Sequence, residues 1–270
     1  MRLLLTVGCE GAELGASLDA GEGESEVGLL LVTGGSQTRT GSHRMYERLA
    51  KSLAERGISC LRFDRRGVGD SNGEDPGFRG SAPDLAAATG LLRTQRPALK
   101  RVYGFGLCDG ATALALFAAD AGLDGMILVN PWLVEAESGD PPPAALRRHY
   151  RDRLLSLEGW KKMLSGRVDY RKLWRGLLKS RSRAPSTLAE QVATALARRL
   201  PAIWIFATGD ATAIAAEAEL GVPAFTALTV EPLRVDTDSH TFARPGDEIL
   251  LRDAVLAALQ SLEATSSAEG

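Results

Sequence analysis

Hydrophobic and polar positions alternate between two rhythms along the chain. Short apolar runs bounded by glycine or polar turns read as strands: Leu3–Val7, Leu14–Leu18, the run VGLLLVTGG from Val27 to Gly35, Ile58–Asp64, RVYGFG from Arg101, Gly125–Asn130 and Ala202–Phe206. The first two are spaced to form an antiparallel hairpin at one sheet edge, and a further strand is expected around Leu228–Val235. Between these runs the spacing becomes helical. HRMYERLAKSLAER puts Met45, Leu49 and Leu53 on one stripe, with Gly57 suited to a left-handed C-terminal cap. Pro83-Asp84 opens a helix to about Thr94, a second follows RVYGFG from Asp109, a third contains Ala213–Leu220, and the last covers Glu248–Leu262 ahead of a tail, TSSAEG, expected to be frayed. Near-continuous apolar strands alternating with helices predict a mostly parallel, doubly wound α/β sheet covered on both faces.

The rhythm breaks at Pro131. From there to about Leu200 come the triple proline Pro141–Pro143 and helical patterns interleaved with Tyr150, Trp160, Tyr170 and Trp174. We read 132–200 as a helical lid inserted between two core segments, 1–131 and 201–270. Between Arg147 and Arg183, basic residues far outnumber Asp152, Glu158 and Asp169. That stretch is either a solvated helical face packed by Trp160 and Trp174, or a positive field attracting an anionic acyl donor, a carrier protein, a phosphorylated lipid intermediate or a membrane surface.

Composition narrows the classes. The 270 residues are 44% hydrophobic, enough for one large core, and a formal net charge of -2 carries no nucleic-acid footprint. Cys9, Cys60 and Cys108 are far apart with no Cys-x-x-Cys pair, which supports neither a disulfide framework nor a cysteine zinc site and fits a reducing cytoplasm. MRLLLTVGCEGAE has too short an apolar run for a secretory leader, and no stretch reaches the ~20 apolar residues of a membrane span.

Chemistry concentrates in Gly104-Phe105-Gly106-Leu107-Cys108-Asp109-Gly110-Ala111. Gly106-x-Cys108-x-Gly110 matches the nucleophile elbow, with cysteine in the usual serine position and the required strand before and helix after it. The fold expected from this is the α/β-hydrolase fold. The new helix points its N-terminus at the thiol and favours thiolate, while the acidic side chain of Asp109 opposes it. A buried structural cysteine is the plain alternative.

Of the three histidines, His240 lies in the polar loop DTDSHTFARPGD between the last strand and the last helix, where this fold delivers its base; His43 starts a helix near the glycine loop and His149 lies in the expected lid. The acid is expected at Asp210 in FATGDATA, which as a helix N-cap would have an equally ordinary role; Asp236 and Asp238 flank the histidine as second candidates or loop formers. Oxyanion donors are expected from the backbone N–H of Asp109 and from Gly35 or Ser36 in Thr33-Gly34-Gly35-Ser36-Gln37. Gly34, His43, Arg65 and Trp132 are candidate pocket residues.

The string FDRRGVGDS resembles the Asp-x-Arg-Gly-x-Gly-x-Ser loop of α/β-hydrolases. Together, VTGGSQTRTGSHR, GLCDGA, NPWL, SHTF and the stretch HYRDRLLSLEGWKKML resemble the type 1 hydrolases associated with the exosortase A system, over nearly the whole chain. That resemblance implies a cysteine hydrolase of unassigned substrate, with Cys108, Asp210 and His240 at the matching positions, in bacteria that make exopolysaccharide. ATGDATA departs from the pattern in its short, Ala-rich segment after the acid. The expected reaction is cleavage of an ester or thioester through a Cys-acyl intermediate, with no metal or organic cofactor. Acyl transfer to a hydroxyl by the same groups and a non-catalytic scaffold of the same fold are the rival readings.

Overall fold

The computed structural model describes residues 1–23, 26–134, 187–197, 200–221, 223–225 and 231–268. The central segment 135–186, which holds most of the expected lid, its basic stretch, His149 and the four interleaved aromatics, lies outside the described residues.

Eight strands form one sheet in the order β1-β2-β4-β3-β5-β6-β7-β8. They are β1 (Arg2–Cys9), β2 (Ala12–Asp19), β3 (Val27–Val32), β4 (Ser59–Phe63), β5 (Arg101–Leu107), β6 (Gly125–Val129), β7 (Ala202–Ala207) and β8 (Leu233–Val235). The β1–β2 hairpin is antiparallel and joins β4 antiparallel, whereas every pairing from β4 to β8 is parallel. The helices, numbered among the described residues, are α1 (Met45–Ala54), α2 (Ala82–Gln95), α3 (Asp109–Phe117), α4 (Thr187–Leu196), α5 (Ala211–Glu219) and α6 (Asp247–Ala268).

Strand side chains alternate between two buried layers, as a pleated strand covered on both sides must. Leu30, Val32, Val102, Met126, Leu128, Trp204 and Phe206 face one layer, filled by α2, α3, α4 and α5 through residues such as Leu85, Leu114, Val192 and Ala216. Leu29, Leu31, Tyr103, Phe105, Ile127, Val129 and Ile205 face the other, against Tyr46 and Leu49 of α1 and Val255 and Leu259 of α6. Each leucine-sized side chain so buried contributes about 1.5–3 kcal/mol, which sets the register of these strands. Helix α4 lies at the C-terminal end of the segment read as a lid. Its Leu188, Ala189, Val192, Ala193 and Leu196 are buried in the first layer, so this end packs with the core.

The tail corrects a sequence expectation. The last helix was expected over Glu248–Leu262, yet α6 continues to Ala268, into the stretch TSSAEG. The reason is a tether: the Tyr103 hydroxyl, from the middle of the sheet, donates to the Glu263 carboxylate and lies 3.4 Å from Ser266 Oγ. Burial raises the Tyr103 phenol to about 12, with the Glu263 carboxylate adding to the shift, so it stays a donor at neutral pH.

Tyr103→Phe should therefore loosen the end of α6 while leaving the sheet intact. Amide exchange should speed up over residues 263–268, and global stability should fall by about 1 kcal/mol. Unchanged exchange in this segment would show that the apolar face of α6 alone holds it.

Candidate active site

β5 ends at Leu107, α3 starts at Asp109, and Cys108 turns the chain between them at φ 59° and ψ −127°. A non-glycine residue in such a conformation costs about 1–3 kcal/mol and persists only when its surroundings hold it. Here they do: Cys108 N–H donates to the Val129 carbonyl at 3.0 Å, and the Cys108 carbonyl accepts from Ala111, Thr112 and Trp132 N–H. Strand and helix meet so closely that a Cβ on Gly106 would lie 2.6 Å from the Gly110 carbonyl carbon, and one on Gly110 would lie 2.5 Å from the Val32 carbonyl oxygen. Both ends of the Gly-x-Cys-x-Gly string are thus dictated by contact. Cys108 is partly exposed, whereas Cys9 and Cys60 are buried, and burial pushes both of those thiols up. The thiol open to chemistry is Cys108.

His240 sits in the loop after β8. Its Nδ1 lies 3.0 Å from Asp210 Oδ2, and its side chain is 32% exposed against 8% for Asp210. The imidazole pKa is pushed up to about 10, first by the hydrogen bond to Asp210 and then by the one to Cys108, against a desolvation penalty. The structure therefore brings Cys108, His240 and Asp210 together. Asp210 also caps α5, its Oδ2 accepting from Ala213 N–H at 2.9 Å, so its two readings coexist. Asp238 is instead paired with Arg244, and Asp236 accepts from Thr208 Oγ1 at 3.4 Å.

Asn130, fully buried at the end of β6 with φ 42°, is a positioning residue that sequence reading passed over. Its Oδ1 accepts from Ala207 N–H at 2.9 Å and its Nδ2 donates to the His240 carbonyl at 3.3 Å, tying β6, β7 and the histidine loop together. An asparagine closing a strand ahead of proline was the available signal, since Asn tolerates the left-handed region. Tyr46 is a second such residue. Its buried hydroxyl donates to the Val32 carbonyl at 3.0 Å, beneath the elbow.

The remaining sequence candidates fall in three places. His43 does not reach the elbow: its Nε2–H donates to the Thr241 carbonyl at 2.8 Å while Nδ1 accepts from Arg48, so it clasps the histidine loop from outside. Trp132 is stitched to the elbow by backbone, its carbonyl accepting from Thr112 Oγ1 at 2.7 Å. Gly34, Gly35 and Ser36 lie in the loop after β3, opposite Cys108, and Arg65 reaches it from the loop after β4. Arg65, 3% exposed in its side chain, donates through Nη2 to the Gly35 carbonyl at 2.5 Å. Gly35 N–H donates to the carboxylate of Asp109, 2.5 Å from Oδ1. The Asp109 N–H lies in the first turn of α3, where helix geometry provides no intrahelical acceptor.

Backbone strain gathers around this region. Among the described residues, six non-glycine residues have positive φ, and five of them (His43, Arg44, Cys108, Asn130 and Phe242) belong to the elbow, to the strand end beside it or to the segments clasping the histidine loop. Such clustering is characteristic of sites where packing enforces a functional geometry.

Many solved structures share the fold, three of which illustrate it. XC6422 from Xanthomonas campestris, described as an α/β serine hydrolase without lid, superposes with a TM-score of 0.58 at 21% identity over 96% of this chain and 94% of that one. An α/β serine hydrolase homologue from Coxiella burnetii gives 0.60 at 18% identity over 95% and 97%. The Pyrococcus furiosus esterase PF2001 gives 0.62 at 14% identity over 94% and 89%. Comparison with curated protein sequences found no match. The model of the alpha/beta hydrolase family matches residues 29–258, well over half of the sequence, and this chain belongs to that family.

Proposed function

We propose that the protein hydrolyses a carboxylic ester or thioester through an acyl intermediate on Cys108. The observation that carries this reading is the imidazole of His240 held between Asp210 and Cys108. Cys108 thiolate attacks the carbonyl carbon, and the resulting oxyanion is met by the Asp109 N–H and by an N–H of the Gly35–Ser36 segment. Collapse breaks the bond to the leaving group, which takes its proton from His240 Nε2. Water then loses a proton to Nε2 as it attacks the acyl carbon, and the carboxylic acid departs with Cys108 restored as thiolate.

The raised pKa of His240 suits both halves. While Cys108 is a thiolate, it and Asp210 hold the ring protonated and ready to act as an acid. Once the sulfur is acylated its charge is gone, one of the two supports is lost, and the ring more readily becomes the base that water needs.

Structural neighbours described as serine hydrolases and an esterase support ester hydrolysis on this fold, while the sulfur nucleophile rests on this chain's own Gly106-x-Cys108-x-Gly110 string. Thiolate chemistry suits thioesters as well as esters. The sequence resemblance to exosortase A-associated hydrolases, together with the basic stretch between Arg147 and Arg183, supports an anionic or carrier-bound acyl donor from exopolysaccharide-producing bacteria.

Cys108→Ala should lower kcat/KM for a p-nitrophenyl ester by about 10³-fold or more, with an unchanged melting curve. Retained turnover would remove the nucleophile assignment. The pH profile provides a second test, with an alkyl ester whose alkoxide must be protonated on leaving. Wild-type kcat/KM should persist to alkaline pH and fall through about 10, and Asp210→Asn should move that fall down toward the ordinary histidine value of 6.5. Linkage has the same sign. Stability derived from protonated His240 is fully present below 6.5 and is lost as the pH rises through about 10. Asn130→Gly keeps the left-handed backbone but removes both side-chain bonds. It should lower kcat about 10-fold or more through misplacement of His240, with a smaller change in KM; an unaltered kcat would mean that the loop is positioned without it.

A further inference from the structure

Asp109 brings two groups to the elbow that work against each other. Its N–H is available to an oxyanion, while its carboxylate binds the Gly35 N–H at 2.5 Å, the group expected to complete the same oxyanion pocket. We propose that the Asp109 carboxylate is an internal occupant of the oxyanion seat, so that an acyl donor gains the Gly35 N–H only by displacing it. The proposal rests on the Cys108 reading above and adds to it a residue that governs which carbonyl compounds react.

Three further features show that the contact is built in. Gly34 leaves room for the carboxylate: a Cβ there would lie 2.7 Å from Asp109 Oδ1 and 2.6 Å from the Leu107 carbonyl oxygen. Gly35 holds φ 58°, which a glycine adopts without strain, and this aims its N–H. The Gly35 carbonyl, in the next peptide group along the chain, is gripped by the buried Arg65 guanidinium, so Gly35 is anchored through both of its main-chain polar groups. A bond from N–H to an ionised carboxylate is roughly twice as strong as one to a neutral carbonyl. An ester carbonyl in its ground state is thus a poor competitor, and only the negative oxygen of the transition state matches the resident anion. Asp109 is itself partly exposed, which gives the displaced carboxylate a route to water.

The consequence separates two kinds of reagent at one sulfur. Acylation by an ester develops an oxyanion and needs the seat; alkylation by iodoacetamide develops none and does not. Rates of Cys108 modification by p-nitrophenyl acetate and by iodoacetamide are to be measured by intact-protein mass spectrometry on wild type and Asp109→Ala, with Asp109→Asn as a variant that keeps the shape and removes the charge. Acylation should accelerate about 10-fold or more in Asp109→Ala, and in the same direction in Asp109→Asn, while alkylation changes by a much smaller factor. Equal acceleration of both reactions would mean that Asp109 acts only on the thiol, and no acceleration, or a loss, would mean that its carboxylate does not block the seat; either overturns the proposal. Ester turnover that survives in Cys108→Ala would overturn the assignment of Cys108 as nucleophile as well, whereas an inert Cys108→Ala beside an unaccelerated Asp109→Ala removes the present inference alone.

Discussion

The site depends on one backbone constraint, the close approach of β3, β5 and α3 around a strained Cys108. With no Cβ at Gly106 or Gly110, the start of α3 comes within contact distance of the ends of both strands. The N–H of Cys108 is then caught by the Val129 carbonyl of β6, which keeps the φ of 59° from relaxing. Everything else is placed relative to that turn: the thiol stands clear of the sheet, the first free N–H groups of α3 lie beside it, and the glycine loop after β3 passes directly opposite. A larger residue at either glycine would push helix from sheet and release the strain together with the geometry.

The imidazole arrives from the far end of the sequence and is held by a different device. β8 contributes three residues to the sheet edge, too few to fix the loop beyond it by ladder bonds alone. The loop is instead pinned from several sides: Asn130 bonds the His240 carbonyl, His43 bonds the Thr241 carbonyl, and Phe242 is buried at φ 56°. Thr237 adds an internal brace, its hydroxyl donating to Asp247 at the start of α6. Segments far apart in sequence thus converge on one ring.

This division explains what could be read in the sequence. Period and glycine punctuation located the strands because each alternates between two buried layers, and the Gly-x-Cys-x-Gly string located the elbow because contact dictates its glycines. The string NPWL had no visible reason to accompany GLCDGA and SHTF until the structure tied Asn130 to the edge that carries Cys108 and His240. Asn130 was missed because its partners, the Ala207 N–H and the His240 carbonyl, are main-chain groups, which leave no mark of residue type. The same is true of the bond between Gly35 N–H and Asp109: a sequence shows an acidic residue beside a cysteine, but not which backbone group its carboxylate has chosen. The end of α6 escaped for a similar reason, since its tether is a tyrosine some 160 positions away.

Asp210 shows why a choice between structural and chemical roles can be a false one. Its Oδ2 accepts from the Ala213 N–H at the start of α5 and from His240 Nδ1. The cap fixes the carboxylate at the start of α5, where its side chain is only 8% exposed, and so holds Oδ2 in place for the imidazole. The structural bond thus sustains the chemical one. Asp236 and Asp238, more exposed and engaged with Thr208 and Arg244, lack that support. Position at a helix start is therefore what equips Asp210, rather than either neighbour of the histidine, to orient the ring.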